Sequence, residues 1–258
     1  MQSIYTNAAI SVESFTLNSS EISNQSFITS IRPTTTKMMA SLAKLMTVML
    51  AWDKIKQDNL DPAVTLIEMP VDLLRGSSDY YKFYKKGEKI SLSTLIQSTL
   101  IASSNEAAYA LACWHSGSES YFIPQMIRKS HMLGLTNSHY TSCSGLERSA
   151  YTTAQDMSKL AKVFVSKYTT LASYCSLKYF EFNGKKVSNT NKLLLSHAAV
   201  IGLKTGNLVG IGSNLINYWI DEDVHYISIV LGAESQESCY ELSKRIMHNY
   251  ASLTASES

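Results

Sequence analysis

Met39-Ala40-Ser41-Leu42-Ala43-Lys44-Leu45-Met46-Thr47-Val48-Met49-Leu50-Ala51-Trp52 is apolar along nearly its whole length, and the polar exceptions are Ser41, Lys44 and Thr47. A helix that is apolar on all sides belongs in a domain interior. The three exceptions recur at steps of three, so they share one helical face and the Ser41 hydroxyl can meet the Lys44 amine. Met39, Leu42, Leu45, Met46 and Val48 surround that amine in sequence. Poor solvation disfavours its charged form, so Lys44 is predicted to have a lowered pKa and to act as general base toward Ser41. A lysine snorkelling from an ordinary helix is the plainer alternative for this spacing alone.

Two more motifs lie downstream. Ser103-Ser104-Asn105 breaks an otherwise apolar stretch between Leu100-Ile101-Ala102 and Glu106-Ala107-Ala108. Ser and Asn suit a loop or a helix cap. Beside Ser41 and Lys44, however, Ser103 becomes a candidate proton shuttle to a leaving group, and Asn105 a clamp for Lys44 or for a substrate amide. Lys204-Thr205-Gly206 follows the strand signal Val200-Ile201-Gly202-Leu203. There Lys204 can supply positive charge and Thr205 a hydroxyl to a carboxylate, while Gly206 lets an extended substrate lie against the strand. The alternative is a strand-end turn.

The surrounding pattern predicts an α+β fold. An early strand is read at Ala8 to Val12 and Phe15, then a polar turn region from Asn18 to Ser26. Helices are expected over Met39–Trp52, Leu92–Cys113, Tyr121–Leu133 with Gly134 as C-cap, and Thr153 to about Phe164. Beyond Lys185 the character turns to β, with strands at Asn214–Ile220 and His225–Leu231, and a closing helix at Glu237–Tyr250. N- and C-terminal segments then share one antiparallel sheet packed with a helical block. The division expected is 1–7 as a disordered N-terminus, 8–250 as one domain with a helical subdomain roughly at 40–170, and 251–258 as a frayed tail.

Composition narrows the function classes. With 258 residues, 45% of them hydrophobic, the chain can bury a sizeable core. Lys and Arg number 23 against 21 acidic residues, a net charge of +2 that draws neither nucleic acid nor anionic lipid. No apolar run approaches the ~20 residues of a membrane-spanning helix, and Met1-Gln2-Ser3-Ile4-Tyr5 lacks the features of a secretory signal. Cys113, Cys143, Cys175 and Cys239 form no metal spacing and read as mostly free, buried thiols, with one disulfide left open. His115, His131, His139, His197, His225 and His248 read as structural or surface residues, and no G-x-S-x-G elbow is present.

S-x-x-K, S-x-N and K-T-G each occur once, in that order and at domain-scale spacing. In this the sequence resembles the penicillin-recognising serine enzymes, specifically the low-molecular-mass penicillin-binding proteins that are D-alanyl-D-alanine carboxypeptidases. Gly87 to Ile90, Leu133-Gly134, Ser144-Gly145-Leu146, Thr153 to Met157, Asn189 to Leu194 and Val230 to Gly232 also follow that family's habits. The resemblance implies a β-lactamase/transpeptidase-like fold in which Ser41 attacks the D-Ala-D-Ala peptide carbonyl of a peptidoglycan stem peptide, and β-lactams acylate the same hydroxyl. It implies no metal or organic cofactor, an extracytoplasmic location, and membrane contact only through a segment absent after Tyr250. The oxyanion hole would use the backbone N–H groups of Ser41 and Asn207.

Departures from the family pattern are visible. Leu208-Val209 stand where a Thr-Asp pair is usual, and no arginine occurs near the start of the last helix, where Ser238 is the matching position. These leave a second reading, a wall-peptide or penicillin binding module without turnover. A third, a β-lactamase, requires a Glu-x-x-Leu-Asn segment, and none of Glu106, Glu119, Glu147, Asp156 and Glu181 begins one.

Overall fold

A computed structural model describes residues 7–19, 21–70, 84–208 and 210–254. The chain opens with β1 (Ala9–Asn18), β2 (Glu21–Ile31) and the short β3 (Lys37–Met38), then a single 3-10 turn (Ala40–Leu42) leading into α1 (Ala43–Gln57). β4 (Leu66–Glu68) and β5 (Lys89–Ser91) precede the helices α2 (Leu92–Ile101), α3 (Asn105–Ser116) and α4 (Glu119–Met132). After β6 (Tyr151–Thr152) come α5 (Ala154–Lys167), α6 (Thr169–Cys175), β7 (Tyr179–Phe182), β8 (Lys185–Ser188) and α7 (Leu193–Ser196). The chain closes with β9 (Val200–Leu208), β10 (Gly212–Asp221), β11 (Val224–Ala233) and α8 (Gln236–Thr254).

Five strands form one antiparallel sheet in the order β2-β1-β11-β10-β9, so the first and last thirds of the chain are hydrogen-bonded to each other. Both faces of its centre are covered. On β10 and β11, Leu215, Trp219, Tyr226 and Val230 pack with Leu242 and Ile246 of α8, while Ile216, Ile227, Ile229 and Leu231 point to the helical block. The alternation of strand side chains thus feeds two cores, which is why these strands read as nearly continuous apolar runs. At the middle of the block α1 is buried all round from Ala43 to Ala51. Each such Leu or Met contributes roughly 1.5–3 kcal/mol by leaving water.

Several boundaries differ from the sequence reading. The polar region Asn18 to Ser26 is mostly strand: β2 is an edge strand without a fully buried residue, its positions being exposed or half-buried, so polar side chains serve there as well as apolar ones. Thr16 and Ser23 pair their hydroxyls across β1 and β2 at 2.8 Å. The helix expected at Leu92–Cys113 breaks in two at Ser103, whose φ of +59° lies in the left-handed region and cannot continue a helix. The closing helix continues through Ala251 to Thr254, where fraying was expected. Of the other expectations, residues 1–6, Val209 and residues 255–258 lie outside the described residues.

Candidate active site

Ser41 occupies the 3-10 turn that opens α1, and Ala40 before it holds φ at +51°. A non-glycine residue in that conformation is costly and persists only where its surroundings over-determine it. Two contacts do so here. On one side Gly145, φ +77°, packs so closely that an added Cβ would stand 1.8 Å from the Ala40 carbonyl oxygen. On the other, a Cβ on Gly206 would meet Ala40 Cβ, Leu42 Cγ and Met39 O, each at 3.3 Å. Gly206 therefore brings β9 against the nucleophile's own turn.

One helical turn on, Lys44 is fully buried. Its Nζ donates to Ser41 Oγ at 2.9 Å, to Asn105 Oδ1 at 2.6 Å and to the Ser144 carbonyl at 2.8 Å. Two of these partners, the amide oxygen and the carbonyl, can only accept; the hydroxyl can accept or donate. The same geometry therefore holds an ammonium with three acceptors, or a neutral amine whose lone pair receives the Ser41 proton. That is what a general base adjoining a nucleophile requires.

The acceptors are themselves held. Ser104 Oγ caps α3 by accepting from Ala107 N at 3.1 Å, which sets Asn105 at the helix's first residue. The carbonyl of Cys143, next to Ser144, accepts from Thr47 Oγ1 at 2.7 Å, and the Cys143 N–H donates to Glu119 Oε1 at 2.8 Å. Thr47 thus continues the polar stripe of Ser41 and Lys44 as a support. Sequence reasoning missed Ser144, because what it contributes is a main-chain oxygen. Ser103 projects from the kink between α2 and α3, half-buried, and its hydroxyl bonds to no other described residue.

On β9, Lys204 is buried, and its Nζ donates to the Thr205 carbonyl at 3.1 Å. Burial, reinforced by the positive charge of Lys44, holds the Lys204 pKa well below the ordinary lysine range. An arriving anion would reverse that balance. Thr205, also buried, donates from Oγ1 to Thr190 Oγ1 at 2.7 Å. Asn207 is exposed opposite Ser213 of β10, and Leu208 half-exposed at the strand's end. Ser41 lies in the first turn of a helical stretch, where backbone N–H groups have no intrahelical acceptor and face outward as donors.

Ser238 is engaged with the start of its own helix. Its Oγ accepts from Ser235 N at 3.0 Å and Ser235 Oγ accepts from Ser238 N at 3.0 Å, a reciprocal cap on α8. Tyr240, two residues on and so on another face of the helix, is the one that reaches the site loop, donating to the Thr190 carbonyl at 2.8 Å. Gln236, one turn before Tyr240, shares its face, with Nε2 at 3.4 Å from the Tyr240 hydroxyl. The four cysteines are free thiols; Cys143, Cys175 and Cys239 are buried, and burial pushes the Cys175 thiol up to about 12, so it stays protonated.

Known proteins are similar to this chain in sequence and in fold. The sequence profile described as D-alanyl-D-alanine carboxypeptidase matches residues 7–235. D-alanyl-D-alanine carboxypeptidase DacC of Escherichia coli is 32% identical over 217 residues, 81% of this chain and 54% of that protein. DacA of the same organism is 28% identical over 215 residues, 81% of this chain and 53% of its own, so the chain spans about half the length of these relatives. Among solved structures, penicillin binding protein 6B from Escherichia coli shares the fold, with a TM-score of 0.83 at 24% identity over 93% of this chain and 75% of that one. Penicillin-binding protein D2 from Listeria monocytogenes, solved in an ampicillin-bound form, reaches a TM-score of 0.81 at 26% identity over 93% of this chain and 95% of its own. The chain belongs to the D-alanyl-D-alanine carboxypeptidase family.

Proposed function

We propose that this domain is a serine D,D-carboxypeptidase that removes the terminal D-alanine from peptidoglycan stem peptides and is acylated by β-lactams at the same hydroxyl. The observation that carries the reading is the buried Lys44 amine, 2.9 Å from Ser41 Oγ and fixed by Asn105 and Ser144. Ser41 Oγ attacks the carbonyl carbon of the penultimate D-alanine, and its proton passes to Lys44 Nζ. The oxyanion that forms is met by the backbone N–H groups of Ser41 and Asn207. As the C–N bond breaks, the proton held by Lys44 reaches the leaving amine, with Ser103 as the shuttle. Water then attacks the Ser41 ester, its proton returning through Lys44, and the hydroxyl is restored. Lys204, Thr205 and the close approach permitted by Gly206 form the side of the site that receives the substrate's carboxylate.

A stem-peptide substrate places the working domain outside the cytoplasm, in the cell envelope. Among the described residues no helix is long and apolar enough to cross a membrane. Incubation with a D-Ala-D-Ala peptide and, separately, with a fluorescent penicillin tests the function. Release of D-alanine with stable labelling is the expected pair of results. Labelling without release would leave a binding module, and rapid turnover of the drug a β-lactamase.

A further inference from the structure

β9 stands at one end of the sheet, so among the described residues one of its edges faces no other strand. An extended peptide can lie along that edge as an added antiparallel strand. With the leaving carboxylate at Lys204 and Thr205 and the oxyanion at the N–H groups of Ser41 and Asn207, the acyl side of the peptide runs past Asn207 toward Leu208. A cavity of about 360 Å³ lies there, its walls including Lys37, Ala40, Leu208, Ile211, Asn214 and Glu234. Two of these adjoin the oxyanion donors: Ala40 precedes Ser41, and Leu208 follows Asn207. One residue of extended chain advances about 3.3 Å, so the residue before the penultimate D-alanine comes to the cavity.

Its two buried or half-buried polar groups differ in what they leave available. Asn214 is buried and occupied: Nδ2 donates to the carbonyls of Met38 at 2.9 Å and Met39 at 3.1 Å, and Oδ1 accepts from Gly232 N at 2.8 Å, which ties β3 to β10 and β11. Lys37 is half-buried, and its stem is laid on Gly232, where an added Cβ would stand 2.9 Å from Lys37 Cδ and 3.2 Å from Cε. None of the ion pairs among the described residues takes its ammonium. A cation held by its stem at the wall of a cavity is a receptor for a carboxylate. Ala40, Leu208 and Ile211 suit the methylenes that would lead to one. A side chain ending in an ammonium alone would meet Lys37 with like charge. Diaminopimelate and lysine differ in that terminal carboxylate and nothing else.

We propose that this cavity is a specificity pocket for the residue before the penultimate D-alanine, and that Lys37 reads a carboxylate at the end of that residue's side chain, selecting diaminopimelate over lysine; this rests on the peptidase reading above. Lys37→Met removes the charge and keeps a stem against Gly232, and Lys37→Arg keeps both. D-alanine release is followed on two stem pentapeptides that are alike except for diaminopimelate or lysine at the third position. The unmodified chain should favour the diaminopimelate peptide in kcat/KM by about ten-fold, the size of one hydrogen bond to a charged group. Lys37→Met, with its melting curve unchanged, should bring that peptide down to the level of the lysine peptide, through KM, and leave the lysine peptide within about two-fold. Lys37→Arg should keep most of the preference. No preference in the unmodified chain, one that survives Lys37→Met or is lost in Lys37→Arg, or equal losses on both peptides would overturn the assignment. If the unmodified chain releases D-alanine from neither peptide, the peptidase reading fails, and Ser41 acylation by benzylpenicillin and by isopenicillin N, whose acyl chain ends in an α-amino acid, decides the role of Lys37. Slowing of the second alone in Lys37→Met supports it, and equal effects or none overturn it. If neither penicillin acylates the chain, both readings fall.

Discussion

Lys44 Nζ lies 2.9 Å from Ser41 Oγ, and it also donates to Asn105 Oδ1 and the Ser144 carbonyl, groups that can accept but never donate. Of these three groups, the Ser41 hydroxyl is the one from which a neutral Lys44 can take a proton. Substitution by arginine keeps a charge and donors but supplies no base, since guanidinium stays protonated. Lys44→Arg should slow β-lactam acylation by roughly 10²–10⁴-fold, measured by stopped-flow or gel labelling. Normal acylation would place the base elsewhere.

Gly145 is a second control point, although it carries no chemistry. A methyl group there would press on the Ala40 carbonyl at 1.8 Å, and φ at +77° disfavours any L side chain. Gly145→Ala should shift the turn bearing Ser41, cutting acylation at least as strongly as it lowers Tm. Thermal unfolding beside a labelling time course decides it; an unchanged labelling rate would mean the turn is held by other contacts.

How much of this was legible in the sequence depends on what each residue contributes. Ser41, Lys44 and Asn105 act through side chains at helical spacing or at a helix start, and are visible as motifs. Ser144 acts through a carbonyl, which no residue type announces; the signal within reach was Gly145, whose left-handed φ marks a close approach. The hairpin of β7 and β8 also escaped notice, although Asn183-Gly184, with φ of +50° and +72°, forms the turn that such a dipeptide favours. Edge strand β2 was hidden by its polarity, because only Ile22, Ile28 and Ile31 pack partly against the cores and no regular alternation marks the strand.

Lys204 makes the stability of the protein depend on pH. Its pKa in the folded state lies well below the ordinary value of 10.5, because of burial first and Lys44 second. Between the two values the unfolded chain binds the extra proton, so folding is disfavoured at low pH and gains stability as pH rises through that window. Lys204→Met removes the effect. Its Tm should exceed that of the unmodified chain most at the acid side, by about 2–4 °C per kcal/mol, with the gap narrowing as pH approaches 10.5. A gap independent of pH would contradict this. The same variant should lose the recognition of carboxylate substrates.

On α8 the geometry separates two arginine substitutions. Ser238→Arg removes the hydroxyl that accepts from Ser235 N but keeps the main-chain N–H that donates to Ser235 Oγ, and it points away from Thr190, so it should lower Tm slightly without improving peptide kinetics. Gln236→Arg stands on the face of Tyr240 and should improve kcat/KM for peptides ending in a free carboxylate. The reverse ranking would place the carboxylate on the other side of the helix.

The most direct test of the whole account is the identity of the acylated atom. After reaction with benzylpenicillin, digestion and tandem mass spectrometry should find a single penicilloyl ester, on the peptide containing Ser41, and none in a folded Ser41→Ala variant with an unchanged melting curve. A penicilloyl group on any other residue, or one that persists in Ser41→Ala, would contradict it.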